Sequence, residues 1–145
     1  MSAPEKLRTS YLIKRVELLV RNAMESGLRD LDITTGQYAA LSLLSSMPEA
    51  SSAQLARSIG VTPQTMTETI LAFENRKLIT RTRSSEHKRI LKISLTGEGR
   101  KLLEQCEIRA DQIEEKLFAA LDSNALELLR TQLHDIVKGA EDTRN

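Results

Sequence analysis

Residues 51–70 read SSAQLARSIGVTPQTMTETI, and this stretch decides the fold. A serine at its start can cap a short helix, and Gly60 supplies a turn. Thr62 is placed to cap a second helix, whose first turn accommodates Pro63 because an N–H is not needed there. The stretch therefore predicts a helix-turn-helix. The buried face of the second helix is predicted to comprise Met66, Ile70 and Phe73, with Leu71 as a further candidate.

Downstream of Leu78 the apolar period changes from helical to alternating. Residues 79–83 and 90–95 predict two short strands, and the polar residues between them predict a hairpin tip. A helix-turn-helix followed by a basic hairpin is typical of a winged helix-turn-helix, which places one helix in the major groove of DNA. The predicted fold class is therefore mainly α with a small β-hairpin wing (α+β).

Long amphipathic segments flank this central unit. Apolar residues at helical spacing predict a first helix from about residue 5 to residue 26, with Gly27 as its stop, and two further helices after residue 97. One winged unit cannot cover all three apolar faces, so a second copy of the chain is expected to do so, although the helices could also cover each other within one chain. The predicted organisation is an N-terminal dimerisation helix (1–32), a DNA-binding unit (33–97) and C-terminal dimerisation helices (98–145) in one compact chain.

Composition excludes several classes of protein. The net charge is +1, but residues 62–95 carry +4 and residues 96–145 carry −4, as in a protein that uses one face for phosphates. A single cysteine, Cys106, excludes an internal disulfide, and neither a signal peptide nor a membrane span is visible, so a cytoplasmic protein is expected. The sequence shows no nucleophile–base pair, no phosphate loop and no metal-ligand cluster, which predicts no enzyme, no cofactor and no metal site.

With these residues in hand, the chain resembles the MarR family of bacterial transcription regulators. The resemblance covers nearly the whole length, and its strength lies in the order and spacing of short pieces. It implies a homodimer that binds palindromic double-stranded DNA, more often as a repressor than as an activator, and that a small ligand or an oxidant releases from DNA in many members. The matching pieces are Ile33-Thr34, Gln37-Tyr38, Gln54-Leu55-Ala56, Val61-Thr62, Leu78-Ile79-Thr80-Arg81, Lys88-Arg89, Leu95-Thr96 and Gly99.

The chain departs from the family pattern in four places. His87 occupies the wing position usually held by an aspartate that orients the retained arginine, and either His87 or Glu86 could take that part. Lys77 stands where a glycine usually follows the recognition helix. Glu68 lies on that helix where many relatives are basic, and few residues here match the aromatic-rich ligand cavity of some members.

Candidate DNA contacts fall on the helix-turn-helix and on the hairpin. Gln64 can pair with adenine, a threonine methyl can touch thymine, and Glu68 can accept from cytosine N4. Arg89 is the first choice for a minor-groove or phosphate contact. Each assignment has an alternative: Thr62 could be only a helix cap, Glu68 could be only a solvated residue, and Arg89 could belong to a solvated hairpin tip. The complete set of candidates is Arg57, Thr62, Gln64, Thr65, Thr67, Glu68, Arg81, Arg83, Lys88 and Arg89.

A ligand pocket is predicted between the first, second and fifth helices, near Tyr11, Arg15 and Tyr38. A small effector bound there would change the separation of the two recognition helices of a dimer. Cys106 lies on an apolar helix side, where a cysteine acts as a small hydrophobe more often than as a sensor. The leading hypothesis is thus a homodimeric DNA-binding regulator, and a winged-helix protein–protein interaction module is the alternative.

Overall fold

The structure is a computed structural model that describes residues 6–83 and 91–144. Six helices and one antiparallel hairpin make up these residues, and a short 3₁₀ turn, Arg29–Leu31, links the first two helices. This architecture confirms the predicted winged helix-turn-helix fold class. In chain order the elements are α1 (Thr9–Leu28), α2 (Thr35–Ser46), α3 (Ser52–Ile59), α4 (Pro63–Asn75), β1 (Ile79–Arg83), β2 (Leu91–Leu95), α5 (Gly97–Leu117) and α6 (Ser123–Asp142).

Polar caps set the boundaries of the central helices. Ser51 and Gln54 form a capping box at the start of α3, which satisfies two backbone N–H groups that the helix itself leaves unpaired. Gly60 follows α3 with a φ of 81°, a left-handed conformation that glycine adopts without steric cost. Thr62 caps α4, and Pro63 occupies the first helical position, so the tight α3–α4 turn follows from local sequence alone.

One hydrophobic core joins the central unit to the flanking helices. The buried residues come from the end of α1, from α2, α3 and α4, from the hairpin and from the first half of α5. Met66, Ile70 and Phe73 present the buried face of α4 to this core, as predicted. The three predicted segments therefore share a core rather than forming separate globules. Among the described residues, the largest fully buried side chains are those of Leu28, Leu41, Leu44, Leu55, Met66, Phe73 and Cys106.

The hairpin packs one of its faces on the core. Ile79 pairs with Leu95 across the strands, and both side chains are buried. Arg81 pairs with the buried Ile93, and because cross-strand partners share a face, Arg81 lies on the core side of the hairpin. This placement directs the guanidinium back towards α4 rather than along the outer surface.

The junction between α4, β1 and α5 is closely packed. Thr96 caps α5 by accepting from the Gly99 N–H (3.0 Å), and its hydroxyl donates to the Lys77 carbonyl (2.7 Å). The Thr96 N–H donates to the Leu78 carbonyl (2.9 Å). Gly99 is buried against that same carbonyl group, where a Cβ would come within 2.1 Å of the oxygen. The absence of a side chain at position 99 is thus what lets α5 start this close to the strand.

Lys77 has a φ of 59°, which is the left-handed conformation that glycine favours. We expect Lys77→Gly to raise the free energy of unfolding by about 1 kcal/mol, because a residue with a Cβ is strained in this conformation by roughly that amount. Urea unfolding followed by circular dichroism measures the change. Lys101→Gly, at an exposed position inside α5, is the matched control and should lower stability by about 1 kcal/mol. Equal losses from both substitutions would contradict the argument.

The first helix starts later and ends later than predicted, since α1 begins at Thr9 rather than near residue 5. It runs to Leu28, so Gly27 as its stop is wrong. A Cβ on Gly27 would come within 2.5 Å of the Ile113 side chain, so the glycine allows α1 to approach α5 closely. The unpredicted 3₁₀ turn follows, and Asp32 ends it with a φ of 52°.

The outer parts of α1 and α6 have no covering element among the described residues. The first three turns of α1 are exposed, and Leu19 is 56% exposed. Most of α6 is exposed as well, with Ile136 at 59%. Side chains of this size and polarity rarely stay in contact with water as a contiguous set. Neither helix, nor any other helix in the described ranges, is long and apolar enough to cross a membrane. The exposed apolar side chains on α1 and α6 are Tyr11, Leu12, Ile13, Val16, Leu18, Leu19, Leu128, Leu133, Ile136 and Val137.

Candidate nucleic-acid interface

One face of α4 is fully exposed and carries the predicted base-contacting residues. Gln64 and Glu68 are four residues apart and therefore lie on the same helix face, opposite the buried face of α4. The Gln64 Nε2 donates to the Glu68 Oε1 over 3.4 Å. Glu68 is thus paired with a neighbouring side chain rather than only solvated.

Three threonines surround this pair on the first turns of α4. Thr62 accepts from the Thr65 N–H (3.1 Å), and its hydroxyl also donates to the Thr65 hydroxyl (2.9 Å). The Thr67 hydroxyl donates to the Pro63 carbonyl (2.9 Å). Each hydroxyl is held by a local bond, so these short side chains present fixed shapes at the exposed start of the helix. The prediction that Thr62 caps α4 is confirmed. The capping side chain is still exposed, so a phosphate could also reach it.

Leu71 does not belong to the buried face, and its inclusion there was wrong. The side chain is 48% exposed. Leu71 follows Glu68 by three residues and Gln64 by seven, so helical geometry places it on the same exposed face. An apolar side chain on this face is suited to the C5-methyl group of thymine.

Two cations of the hairpin are engaged within the chain. Arg81 forms an ion pair with Glu74 in the last turn of α4, through both its Nε and one terminal nitrogen. The Lys92 Nζ contacts the Glu49 Oε1 at 2.5 Å, which joins β2 to the loop before α3. Arg81, predicted as a DNA contact, therefore braces the hairpin against the recognition helix in the free protein.

The other predicted cations lie further out. Arg57 is exposed in the last turn of α3, and Arg83 is exposed at the end of β1. Both lie on the elements that flank α4 in the winged helix-turn-helix. Lys88 and Arg89, together with the unusual His87, lie outside the described residues.

The 3₁₀ turn between α1 and α2 contacts both the end of α4 and α5. Arg76, at the end of α4, donates to the carbonyls of Asp32 (2.5 Å) and Leu31 (3.3 Å). Arg109 of α5 donates two hydrogen bonds of 2.7 Å to the carboxylate of Asp30 and a third to the Gly27 carbonyl (2.9 Å). We call residues 27–32 the linker turn. Arg109 and Arg76 both bind this turn, so it connects α5 to the end of α4.

The ion pair at the linker turn makes stability depend on pH. Hydrogen bonds from Arg109 hold the pKa of Asp30 below its ordinary value of 3.8. The stabilisation is therefore complete above that value and is lost as the pH falls through the lowered pKa of the folded state. Asp30→Asn should lower the melting temperature at neutral pH, and the difference from the wild type should shrink as the pH falls below 3.8 through the lowered pKa of the folded state. Thermal unfolding of both proteins over this range measures the gap, and a gap that widens in acid would contradict the assignment.

The predicted ligand-pocket residues line two neighbouring hollows. Tyr38 lines a cavity of about 410 Å³ between α1 and α2, together with Met24 and Thr35. Tyr11 and Arg15 line a hollow along α1 itself, and the Arg15 guanidinium lies 6.0 Å from the centre of the Tyr11 ring. Glu17 and Arg21 border both hollows. Within one chain, then, Tyr38 is not brought into the same hollow as Tyr11 and Arg15.

No described residue of α5 lines the Tyr38 cavity, although the fifth helix was predicted to border the pocket, but α5 does contact Tyr38 itself. The Tyr38 hydroxyl donates to the Glu107 Oε2 (2.9 Å). Burial, and then this carboxylate, raise the pKa of Tyr38 well above its ordinary range, so the phenol is neutral at physiological pH.

Cys106 is buried in the core, as its helical position predicts for a small hydrophobe. Burial raises the pKa of the Cys106 thiol, which lowers the fraction of reactive thiolate. Within residues 6–83 and 91–144, no three metal-ligating side chains form a group that could hold a metal ion.

Comparisons with known proteins agree on one family. The model of the MarR family matches residues 33–91. The chain is 32% identical over 111 residues to the HTH-type transcriptional repressor Rv2887 of Mycobacterium tuberculosis, covering 77% of this chain and 80% of the relative. The crystal structure of Rv2887 in complex with DNA has a TM-score of 0.80 at 27% identity, over 90% of this chain and 98% of that chain. Its complex with salicylic acid has a TM-score of 0.76 at 28% identity, over 92% and 99% of the two chains.

Proposed function

We propose, since this chain belongs to the MarR family, that it is a sequence-specific DNA-binding transcriptional repressor that a small ligand releases from DNA. The observation that carries the proposal is the exposed polar face at the start of α4. That face is capped, preorganised and flanked by cations of α3 and β1. A similar protein, Rv2887, has been solved in complex with DNA, which supports DNA binding by this chain.

The site residues divide by what they would contact. Gln64, Thr65, Thr67 and Glu68 present side chains to base edges in the major groove, and Leu71 joins them as an apolar contact. Thr62, Arg57 and Arg83 lie beside this face and bind phosphates. Lys88 and Arg89, which lie outside the described residues, are the proposed wing cations, and Arg89 would contact either the minor groove or a phosphate. Arg81 has to leave or share Glu74 before it can contact DNA, and its first role is to hold the hairpin in place.

The protein acts as a homodimer in this proposal. Exposed apolar side chains on α1 and α6 form the surface that a second copy covers, and α5 connects this surface to the linker turn. Residues 1–32 and 98–145 thus form the dimer base, and residues 33–97 form the DNA-binding unit. Two-fold symmetry pairs two recognition helices with the two halves of a palindromic operator.

A small effector is part of the same proposal. Rv2887 has been solved with salicylic acid, and the Tyr38 cavity between α1 and α2 offers a site for a molecule of that size. A ligand there would move α1 relative to α5, and the linker turn would carry that movement to α4 through Arg76.

The protein acts on DNA in the cytoplasm and is not an enzyme.

Genomic DNA selection with the purified protein tests the proposal. Bound fragments are sequenced, and the best site is titrated by fluorescence anisotropy at two salt concentrations. An enriched palindrome with a steep salt dependence is expected, because each phosphate contact adds about one unit to the slope of log K against log salt. Weak binding without an enriched site would contradict the repressor function and favour the protein–protein interaction alternative.

A further inference from the structure

We propose that Gln64 and Glu68 act as one unit that selects a G·C base pair, with the cytosine amine bound by Glu68, in each half of the operator. The hydrogen bond between the two side chains carries this inference. The inference rests on the proposed function, since it concerns which DNA sequence the recognition helix selects.

The hydrogen bond holds a carboxylate next to the groups that Gln64 presents to a base. A free glutamine side chain pairs with adenine by donating to N7 and accepting from N6. Here one Nε2–H of Gln64 is directed to Glu68, so the second Nε2–H and the Oε1 acceptor of Gln64 remain for a base, with the Glu68 carboxylate beside them. The exposed face of α4 thus places a free donor of Gln64 next to a carboxylate acceptor of Glu68, in addition to the Gln64 Oε1.

This pattern complements the major-groove edge of G·C. Guanine offers the N7 and O6 acceptors, and the cytosine N4 donor stands next to O6 at the end of the row. Gln64 can donate to O6 while Glu68 accepts from N4. Cytosine N4 is the last hydrogen-bonding group on this edge, so a carboxylate bound to N4 has no base acceptor on its outer side to repel it.

The same pattern is disfavoured over A·T. Adenine N6, the one donor of that base pair, lies between the acceptors adenine N7 and thymine O4. A carboxylate brought to N6 is repelled by both neighbours, and the fixed negative charge of Glu68 adds repulsion from nearby phosphates. Glu68 is therefore compatible with tight binding only where a cytosine amine compensates for this cost.

Selection from random half-sites tests the inference with wild type, Glu68→Ala and Gln64→Ala. The wild type should prefer G·C at one position by about 10-fold over other base pairs. Either substitution should reduce that preference to less than about 3-fold at the same position and leave the other positions unchanged. Both residues are exposed, so the substitutions remove no core contact. Glu104→Ala, which removes one exposed carboxylate on α5, is the matched control and should keep the preference.

An altered base tests the contact at the level of the atom. Replacing the selected cytosine with 2-pyrimidinone, which lacks the 4-amino group, should weaken wild-type binding about 10-fold and leave Glu68→Ala binding unchanged. Enrichment of a site at which Glu68→Ala changes no preference would overturn the inference while the proposed function stands. If Gln64→Ala and Glu68→Ala alter the base preference at two different positions of the half-site, the two residues do not act as one unit and the inference is overturned. If the wild type enriches no site at all, the proposed function fails and the inference falls with it.

Discussion

Gly99→Ala should lower the free energy of unfolding by about 3 kcal/mol, the upper part of the range for overpacking a closely packed site. The new Cβ would lie 2.1 Å from the Leu78 carbonyl oxygen and 3.1 Å from its carbon. Both are backbone atoms, so no side chain can rotate away. The same carbonyl accepts from the Thr96 N–H, and a shift of α5 would break that bond as well.

Gly97→Ala is the matched control for this prediction. Gly97 starts the same helix, and a Cβ there meets nothing within 4 Å. Alanine is favoured over glycine in a helix by about 0.5–1 kcal/mol, so the control should be neutral or slightly stabilising. Urea unfolding of the three proteins measures both values. Similar stabilities for the two variants would contradict the close approach of α5 to the strand.

Ile136→Asp should reduce operator affinity by at least about 100-fold without unfolding the chain. Ile136 is 59% exposed in one chain and lies on the surface proposed to meet a second copy. A charge buried in that surface disfavours association, and a monomer engages only one half-site. Linked binding of two half-sites raises affinity by about 10² to 10⁴, and the variant loses this gain.

Thr131→Asp adds the same charge on the opposite side of α6, so it serves as the control. Sedimentation velocity gives the oligomeric state, and anisotropy with the selected operator gives the affinity. The control should remain dimeric and bind as the wild type does. A dimeric Ile136→Asp variant with full affinity would contradict the proposed dimer base.

The central unit could be predicted from sequence because its signals are local. Ser51, Gly60, Thr62 and Pro63 each act on the backbone within a few residues, so both ends of α3 and the start of α4 followed from residue type. The change of apolar period after Leu78 likewise predicted the hairpin.

Features that depend on contacts between distant elements were not predicted. The Arg81–Glu74 pair requires the hairpin register, and the grip of Arg76 on the linker turn joins residues more than 40 positions apart. Leu71 was misplaced for a different reason. It directly follows Ile70, and adjacent helical residues point about 100° apart, so a helical projection centred on Phe73 would have placed Leu71 outside.

The contacts of the linker turn determine which substitutions are tolerated there as the sequence diverges. Arg76 binds main-chain carbonyls, which every amino acid supplies, so substitutions of the acceptor residues Leu31 and Asp32 keep that connection intact. The Asp30–Arg109 pair depends on two side chains, and a change at one position selects for a change at the other. Among diverged copies of this protein, positions 30 and 109 should therefore change together. Position 76 should stay arginine, while position 31 varies among apolar residues and position 32 among residues that tolerate a left-handed conformation.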